Sequence, residues 1–508
     1  MKIKVLLSGV ALPLILACGL PAPGLAAAGD DCVQILGYEW SGEKQSMDPA
    51  DMTSGDDAYH IFAVYNRLVD VDDSFTVTPE LATEWSVSDD GLTWTFKLRE
   101  GVKFHDGADF SSADVVYTFQ RLLDKTTGSG APAVLEFLDP AGIIAVDPLT
   151  VSFTTKLPVV ELPVLISNKF TNIVAVGATH DTLRLHENGT GPFMQEQFEP
   201  NAPVRILRKN PNYWAAGLPK ADCLRITVAQ EAVAAVAALK SGDVDLMLNV
   251  DPSLIPALKD DPSVSLLETG ASNSMTISMW IDTPPFDNPK VREALKLVVD
   301  RQAMIDTVLL GFGEQAADSP IPLSNPASYV TEAPKQDIER AKALLAAAGF
   351  ADGLKFDLYT AEGVPGMVRM AQVYAEMARP AGIDVNVVVT PAESYWDDVW
   401  LKKPIVTSAW SMRPPGEALA VAYVQTAKWK ETHWERPDYD ALLLSANTTV
   451  ESAARLDLFK QTAKLLATEG GLILPMFVHQ VLALRTGCSG YTPLAQNFNL
   501  NFENLSCE

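Results

Sequence analysis

Between Leu92 and Arg99 apolar and polar residues alternate: Leu92, Trp94, Phe96 and Leu98 against Thr93, Thr95, Lys97 and Arg99. A period of two predicts a half-buried antiparallel strand. Asp89-Asp90-Gly91 just before it is a tight-turn signal, because glycine accepts positive φ and aspartate bonds its own backbone. The period then changes. Val115, Val116, Phe119, Leu122 and Leu123 recur at helical spacing, and Ser111 with Asp114 three residues on resembles a capping box. The segment 79–123 therefore reads turn, strand, loop, helix.

The same reading extends along the chain. Val33 to Tyr38 predicts a strand and Asp56 to Leu68 a helix, and the region from Asp70 to about Ser167 is strand-rich, with a strand over 151–155. A strand over 223–229, an Ala-rich helix over 230–240 and the turn Ser241-Gly242-Asp243 follow α/β logic. Asp287 to Leu310 predicts one long helix, and Asp337 to Ala348 another, stopped by Gly349. Strands over 354–359 and 385–389 flank a helix over 365–379. Thr390-Pro391-Ala392-Glu393 predicts a helix start with Thr390 as cap and Glu393 closing the box. A strand over 405–410 ends at Trp410, Tyr439 to Leu466 predicts a helix, and Leu472 to Val478 a strand.

Composition narrows the class. At 508 residues the chain is roughly three times a typical domain of ~150 residues and can bury a large core. Its net charge of -25 is spread along the sequence with no Lys/Arg cluster, which argues against nucleic acid and anionic lipid as partners. Lys2 and Lys4, the apolar run Val5–Leu20 and Ala26-Ala27-Ala28 read as a signal peptide over 1–28, so the mature chain is expected to be exported, periplasmic and not inserted in a membrane. Ile15-Leu16-Ala17-Cys18 loosely resembles a lipobox, but Leu16 fits poorly and a normal cleavage site follows. Four cysteines then remain: Cys32, Cys223, Cys488 and Cys507. An even count in an oxidising compartment implies disulfides, with three pairings open. Cys32 and Cys223 each begin an apparent strand, and Cys488 and Cys507 are near in sequence, which favours Cys32–Cys223 and Cys488–Cys507. None of the spacings suits zinc, and no metal is expected.

Motifs for chemistry are missing. There is no Walker loop, GxSxG elbow, HExxH or GxGxxG, so no catalytic residue and no cofactor is assigned. Asp70-Val71-Asp72-Asp73-Ser74 begins like a calcium loop but has Phe75 in place of glycine, and reads as a solvated turn. His105, in Phe104-His105-Asp106-Gly107, is expected to be a loop hydrogen-bonder. Ten tryptophans are more suggestive, since aromatic walls hold solutes, although most indoles are core. Trp410 stands out: it ends a strand and empties into Ser411-Met412-Arg413-Pro414-Pro415-Gly416, the kind of position where α/β domains hold ligands.

The wording of 79–123, with Met47-Asp48-Pro49-Ala50, GTGPF at 189–193, RKNPNYW at 208–214, LKSGDVDLM at 239–247, NPKVREALKLVVDR at 288–301 and AKALLAAAGF at 341–350, resembles the extracellular solute-binding proteins of peptide/nickel/oligopeptide ABC importers, family 5. The resemblance spans about 34 to 500. It implies an α/β, two-lobed periplasmic binding protein with a hinge and an additional β-rich domain. Lobe I would comprise 30–58, 186–270 and 479–508, the β-rich domain 59–185, and lobe II 271–478. It implies a monomeric receptor, not an enzyme, that takes a small-molecule ligand to an inner-membrane ABC permease.

Dipeptide-type relatives carry an acidic residue after the tryptophan of the 405–410 strand, which grips the peptide amine. Here Arg413 stands three residues after Trp410, and Gly363-Val364-Pro365-Gly366 lacks an arginine for a peptide carboxylate. A guanidinium in place of a carboxylate reverses the favoured ligand charge. The expected ligand is a solute other than an ordinary dipeptide, with an acidic or acceptor-rich group near Arg413. A peptide, a metal–chelator complex and a sugar- or opine-like solute stay open, and Glu417 is the alternative partner for Arg413. Met412 joins Trp410 and Arg413 as a site candidate. Tyr38 and Trp40 at the end of the first strand, Trp280 in lobe II and Trp396 on the helix after Pro391 complete the set.

Overall fold

The computed structural model describes residues 32–37, 46–52, 55–73, 75–124, 135–184, 186–197, 204–228, 232–250, 254–495 and 500–508. Its strands, in chain order, are β1 Val33–Gly37, β2 Val69–Val71, β3 Val77–Pro79, β4 Ala82–Val87, β5 Thr93–Leu98, β6 Ile144–Asp147, β7 Thr150–Thr154, β8 Phe193–Gln197, β9 Val204–Lys209, β10 Cys223–Val228, β11 Leu246–Met247, β12 Val264–Met279, β13 Gly313–Gln315, β14 Leu354–Thr360, β15 Ile383–Val389, β16 Ile405–Ser411, β17 Leu472–Arg485, β18 Cys488–Ser489 and β19 Ser506–Cys507. Residues 1–28, the expected signal peptide, lie outside the described residues, as do Tyr38 and Trp40.

The alternation at 92–99 becomes β5, centre of the antiparallel order β4-β5-β7-β6. Trp94, Phe96 and Leu98 are buried and Lys97 faces solvent. Helix Ser112–Leu123 lies on the apolar face through Val115, Phe119 and Leu122. The Phe153 ring holds the layers together, meeting Phe119 edge-on at 4.8 Å and Phe96 at 5.5 Å. The capping box forms: Ser111 Oγ accepts from Ala113 N, and the Asp114 carboxylate accepts from Ser111 N.

The larger 11-stranded sheet runs β15-β14-β16-β12-β17-β11-β1-β10-β9-β8, with β13 on β17. At one end β15, β14 and β16 are parallel, and at the other β11, β1 and β10 are parallel. Between them β12 and β17 form a long antiparallel pair. One end of this pair joins the core of β1, β10 and helix Gly55–Val64 through Leu482 and Leu484. The other joins the core of β14, helix Met367–Ala378 and helix Pro289–Leu297 through Met275, Ile277, Ile473 and Met476. Between the two cores the register slips at Glu268/Ala271 and Ala271/Asn273. A slip of this kind breaks the ladder locally and bends the strands, which places the hinge there. The architecture is the two-lobed α/β one with an added β-rich layer.

Cys32 bonds Cys223 with an S–S distance of 2.04 Å, tying the starts of the parallel neighbours β1 and β10. Cys488 bonds Cys507 across β18 and β19 and fastens the tail.

Several expectations need correcting. The helix expected over 287–310 is two helices, Pro289–Leu297 and Arg301–Val308, because the Asp300 carboxylate caps the second by accepting from Ala303 N. Tyr439 to Leu466 likewise divides into Pro437–Thr448 and Ser452–Glu469, with Glu451 capping the second. Thr390 is not a cap: its hydroxyl donates to Thr360 O, and Pro391 occupies the cap position of helix Ala392–Asp398. Asp73, read as part of a solvated turn, instead accepts from Gly270 N at the hinge and Ala495 N in the tail.

Candidate functional site

β16 sits between β14 and β12, where its buried residues Ile405–Ser408 anchor it in the sheet. Its far end delivers Trp410 to the surface next to Ser274 of β12, at the hinge side of the lobe. Met412 N donates to Ser272 O, which fixes the start of the loop. Helix Pro415–Ala420 follows. Trp410, Met412 and Arg413 line one crevice together with Ser274, Pro320 and Tyr423. Arg413 donates through Nε to Glu417 Oε1 at 2.9 Å and through Nη1 to Ser411 O at 2.9 Å, and its guanidinium lies 5.5 Å from the centre of the Trp410 ring.

Beneath this crevice is Glu431, fully buried. Its Oε1 accepts from Trp410 Nε1 at 3.1 Å and Tyr423 OH at 3.3 Å. Its Oε2 accepts from Ser408 Oγ at 2.8 Å and Trp400 Nε1 at 3.2 Å. Burial pushes the carboxyl above its ordinary value, against these hydrogen bonds, which favour the ionised form. Trp429 adds a third ring, 5.9 Å from Trp410 and 6.5 Å from Trp400. Trp396, 38% exposed, meets Trp400 edge-on at 5.4 Å and lies over Gly363, where a Cβ would come within 3.2 Å of the indole. Glycine at 363 thus leaves room for the ring.

Trp280 is elsewhere. Met279 pairs with Ile405 while Ser274 pairs with Trp410, so Trp280 leaves the opposite end of the strand pair. Its ring stacks on His433 at 4.2 Å, and His433 Nδ1 pairs with Asp282 at 2.9 Å. Trp410, Met412, Arg413 and, through Trp400, Trp396 are therefore brought together, and Trp280 is not. His105 is a loop hydrogen-bonder, its Nε2 on Gly191 O at 3.1 Å.

The β-rich layer reaches the same loop. Glu161 accepts from Gly416 N at the start of helix Pro415–Ala420, with Arg455 beside it. Burial pushes its carboxyl up to about 7, with the Arg455 charge and the Gly416 N–H opposing.

Residues 76–430 match the sequence model of the bacterial extracellular solute-binding proteins, family 5, middle region. The chain belongs to this family. It is 28% identical to di/tripeptide-binding protein 1 of Pseudomonas aeruginosa, over 84% of this chain and 85% of that one. It is 32% identical to heme-binding protein A of Haemophilus influenzae, over 66% and 65% of the two chains. HbpA2 of Haemophilus parasuis has the same fold, with a TM-score of 0.82 at 24% identity over 94% and 100% of the chains. No helix among the described residues is long and apolar enough to cross a membrane.

For this family 5 chain, sequence reasoning missed Glu431, Trp400 and Trp429. One signal was available: five of the ten tryptophans, Trp396, Trp400, Trp410, Trp429 and Trp434, fall within 39 consecutive residues (396–434). Glu431 itself carries no local signal, because these partners come from three separate stretches: Trp400, strand β16 with Ser408 and Trp410, and Tyr423.

Proposed function

We propose that this family 5 protein is the periplasmic receptor of an ABC importer, exported by its first 28 residues, which captures a small organic solute between two closing lobes and delivers it to an inner-membrane permease without chemical change. Lobe I is 30–58, 186–270 and 479–508, the β-rich domain 59–185 and lobe II 271–478, and the receptor acts as a monomer. The observation that carries this reading is the long β12–β17 pair, which joins two separate cores through a stretch of slipped register. Two bodies on such a connection close by bending it. The recognition loop at 410–413 lies at that junction, because Asn273 of β12 pairs with Ser411.

The ligand is a solute other than an ordinary dipeptide, with an acidic or acceptor-rich group at Arg413. The Glu417 partner lies in the first turn of helix Pro415–Ala420 and is 46% exposed, a contact worth little in water and open to exchange for a ligand anion. Mass spectrometry of solute released from natively purified protein, with small-angle scattering before and after its return, tests the reading. A released solute whose return shrinks the particle is expected. Turnover of that solute, or no change in shape with it, would overturn the receptor role. Arg413→Ala should weaken binding of the released solute about tenfold or more if a charged hydrogen bond is lost. Unchanged affinity in calorimetry would remove Arg413 from the site.

A further inference from the structure

Glu431 is buried, yet among the described residues its carboxylate accepts from indoles and hydroxyls only, with no lysine, arginine or histidine hydrogen-bonded to it. A buried carboxylate without a cation is costly, and neutral donors offset only part of that cost. The donors chosen here have a second effect. An indole N–H that donates to an anion gains electron density in its ring, and a richer ring face attracts a cation more strongly. Trp400 and Trp410 both donate to Glu431, and Trp429 leans against both.

The three indoles differ from an ordinary core tryptophan. Trp434, a few residues along, is 1% exposed, whereas Trp400, Trp410 and Trp429 are each half-buried. Cations already collect on these rings. The Arg413 guanidinium lies 5.5 Å from the Trp410 ring centre, and the Lys428 ammonium 5.6 Å from that of Trp429. Both belong to loop side chains, Lys428 exposed and Arg413 held by a neighbour on its own turn.

We propose that Trp400 and Trp410, polarised by Glu431, form with the neighbouring Trp429 ring the seat for a positively charged group of the solute, an ammonium or a guanidinium. The proposal rests on the solute-receptor reading above. With Arg413 beside the seat for an acceptor group, the solute carries both charges and spans from Arg413 to the indoles. Glu431 acts as a positioning residue: it sets the rings and supplies the negative field, and the ring faces make the contact.

The test uses tryptophan fluorescence titrations of the full mature chain with tetramethylammonium and with argininamide, and tert-butanol as the neutral counterpart. Both cations should bind saturably and at least about tenfold more tightly than tert-butanol, the size of preference a desolvated aromatic site gives. Trp429→Leu, a half-buried position, and Glu431→Gln, which keeps the shape but removes the charge and sets an amide NH2 against one of the two indole N–H groups, should each lower cation affinity about tenfold. Thermal melting checks that each is folded, and Trp429→Leu carries the test if Glu431→Gln is not. Equal binding of tert-butanol, no saturable response to either cation, or full affinity in the folded variants would overturn the seat. A neutral or purely anionic solute found in the natively purified protein, with closure on its return, would remove the seat and leave the receptor reading standing. Absence of closure with the released solute would remove the receptor reading itself.

Discussion

Removing the Ser111 hydroxyl takes away one of two reciprocal bonds at the start of helix Ser112–Leu123. Ser111→Ala should lower stability by about 1 kcal/mol, read as a shifted urea midpoint with unchanged slope. That cap was legible because its two partners are three residues apart in the sequence. Trp410 and Arg413 were legible in the same way, from the end of a strand and the residues after it. Glu431 was not. Its hydrogen-bond partners include Trp400, Ser408, Trp410 and Tyr423, and only the fold brings these together. Asp73 had the same fate: an acid in a turn looks solvated until the hinge and the tail donate to it.

Elements with one unbroken period were read correctly, as β5, β10 and helix Ile338–Ala347 show. Breaks inside a helical pattern were not. Asp300 and Glu451 start new helices, yet each sits where an exposed helical position would also accept an acid. Packing between elements decides the energetics of the β-rich layer. Phe153 of β7 touches both Phe96 of β5 and Phe119 of the overlying helix, and is fully buried. Phe153→Ala should cost about 3–5 kcal/mol, from lost transfer and the cavity left between sheet and helix. A thermal melt shifted by only a degree or two would mean that the layer closes over the gap.

For the whole molecule, the contact between Glu161 of the β-rich layer and helix Pro415–Ala420 is expected to titrate. Glu161, with its carboxyl pushed up to about 7, keeps a proton in the fold that an ordinary carboxyl near 4.5 releases in the unfolded chain. A raised carboxyl adds stability that is full below the unfolded value and is lost as pH rises through about 7. Thermal midpoints should therefore fall between those limits, and Glu161→Gln should make that fall shallower, with Glu187, also pushed up to about 7, keeping its own share. An equally steep profile in the variant would place the titration elsewhere. The Cys32–Cys223 bond closes a sequence separation of 191 residues. Replacing both cysteines by serine should cost about 2–5 kcal/mol in denaturant unfolding. The order of strands in the large sheet was beyond the sequence, since it depends on β17 crossing from one core to the other. That crossing governs the timetable of synthesis. The core around β1 takes Leu482, Leu484, Tyr491, Phe502 and Leu505 from the end of the chain. Its first strand leaves the ribosome more than four hundred residues before its last partners, so this core stays unfinished until Leu505 has been made. Until then the front of the chain is an unfinished lobe that exposes apolar surface to chaperones.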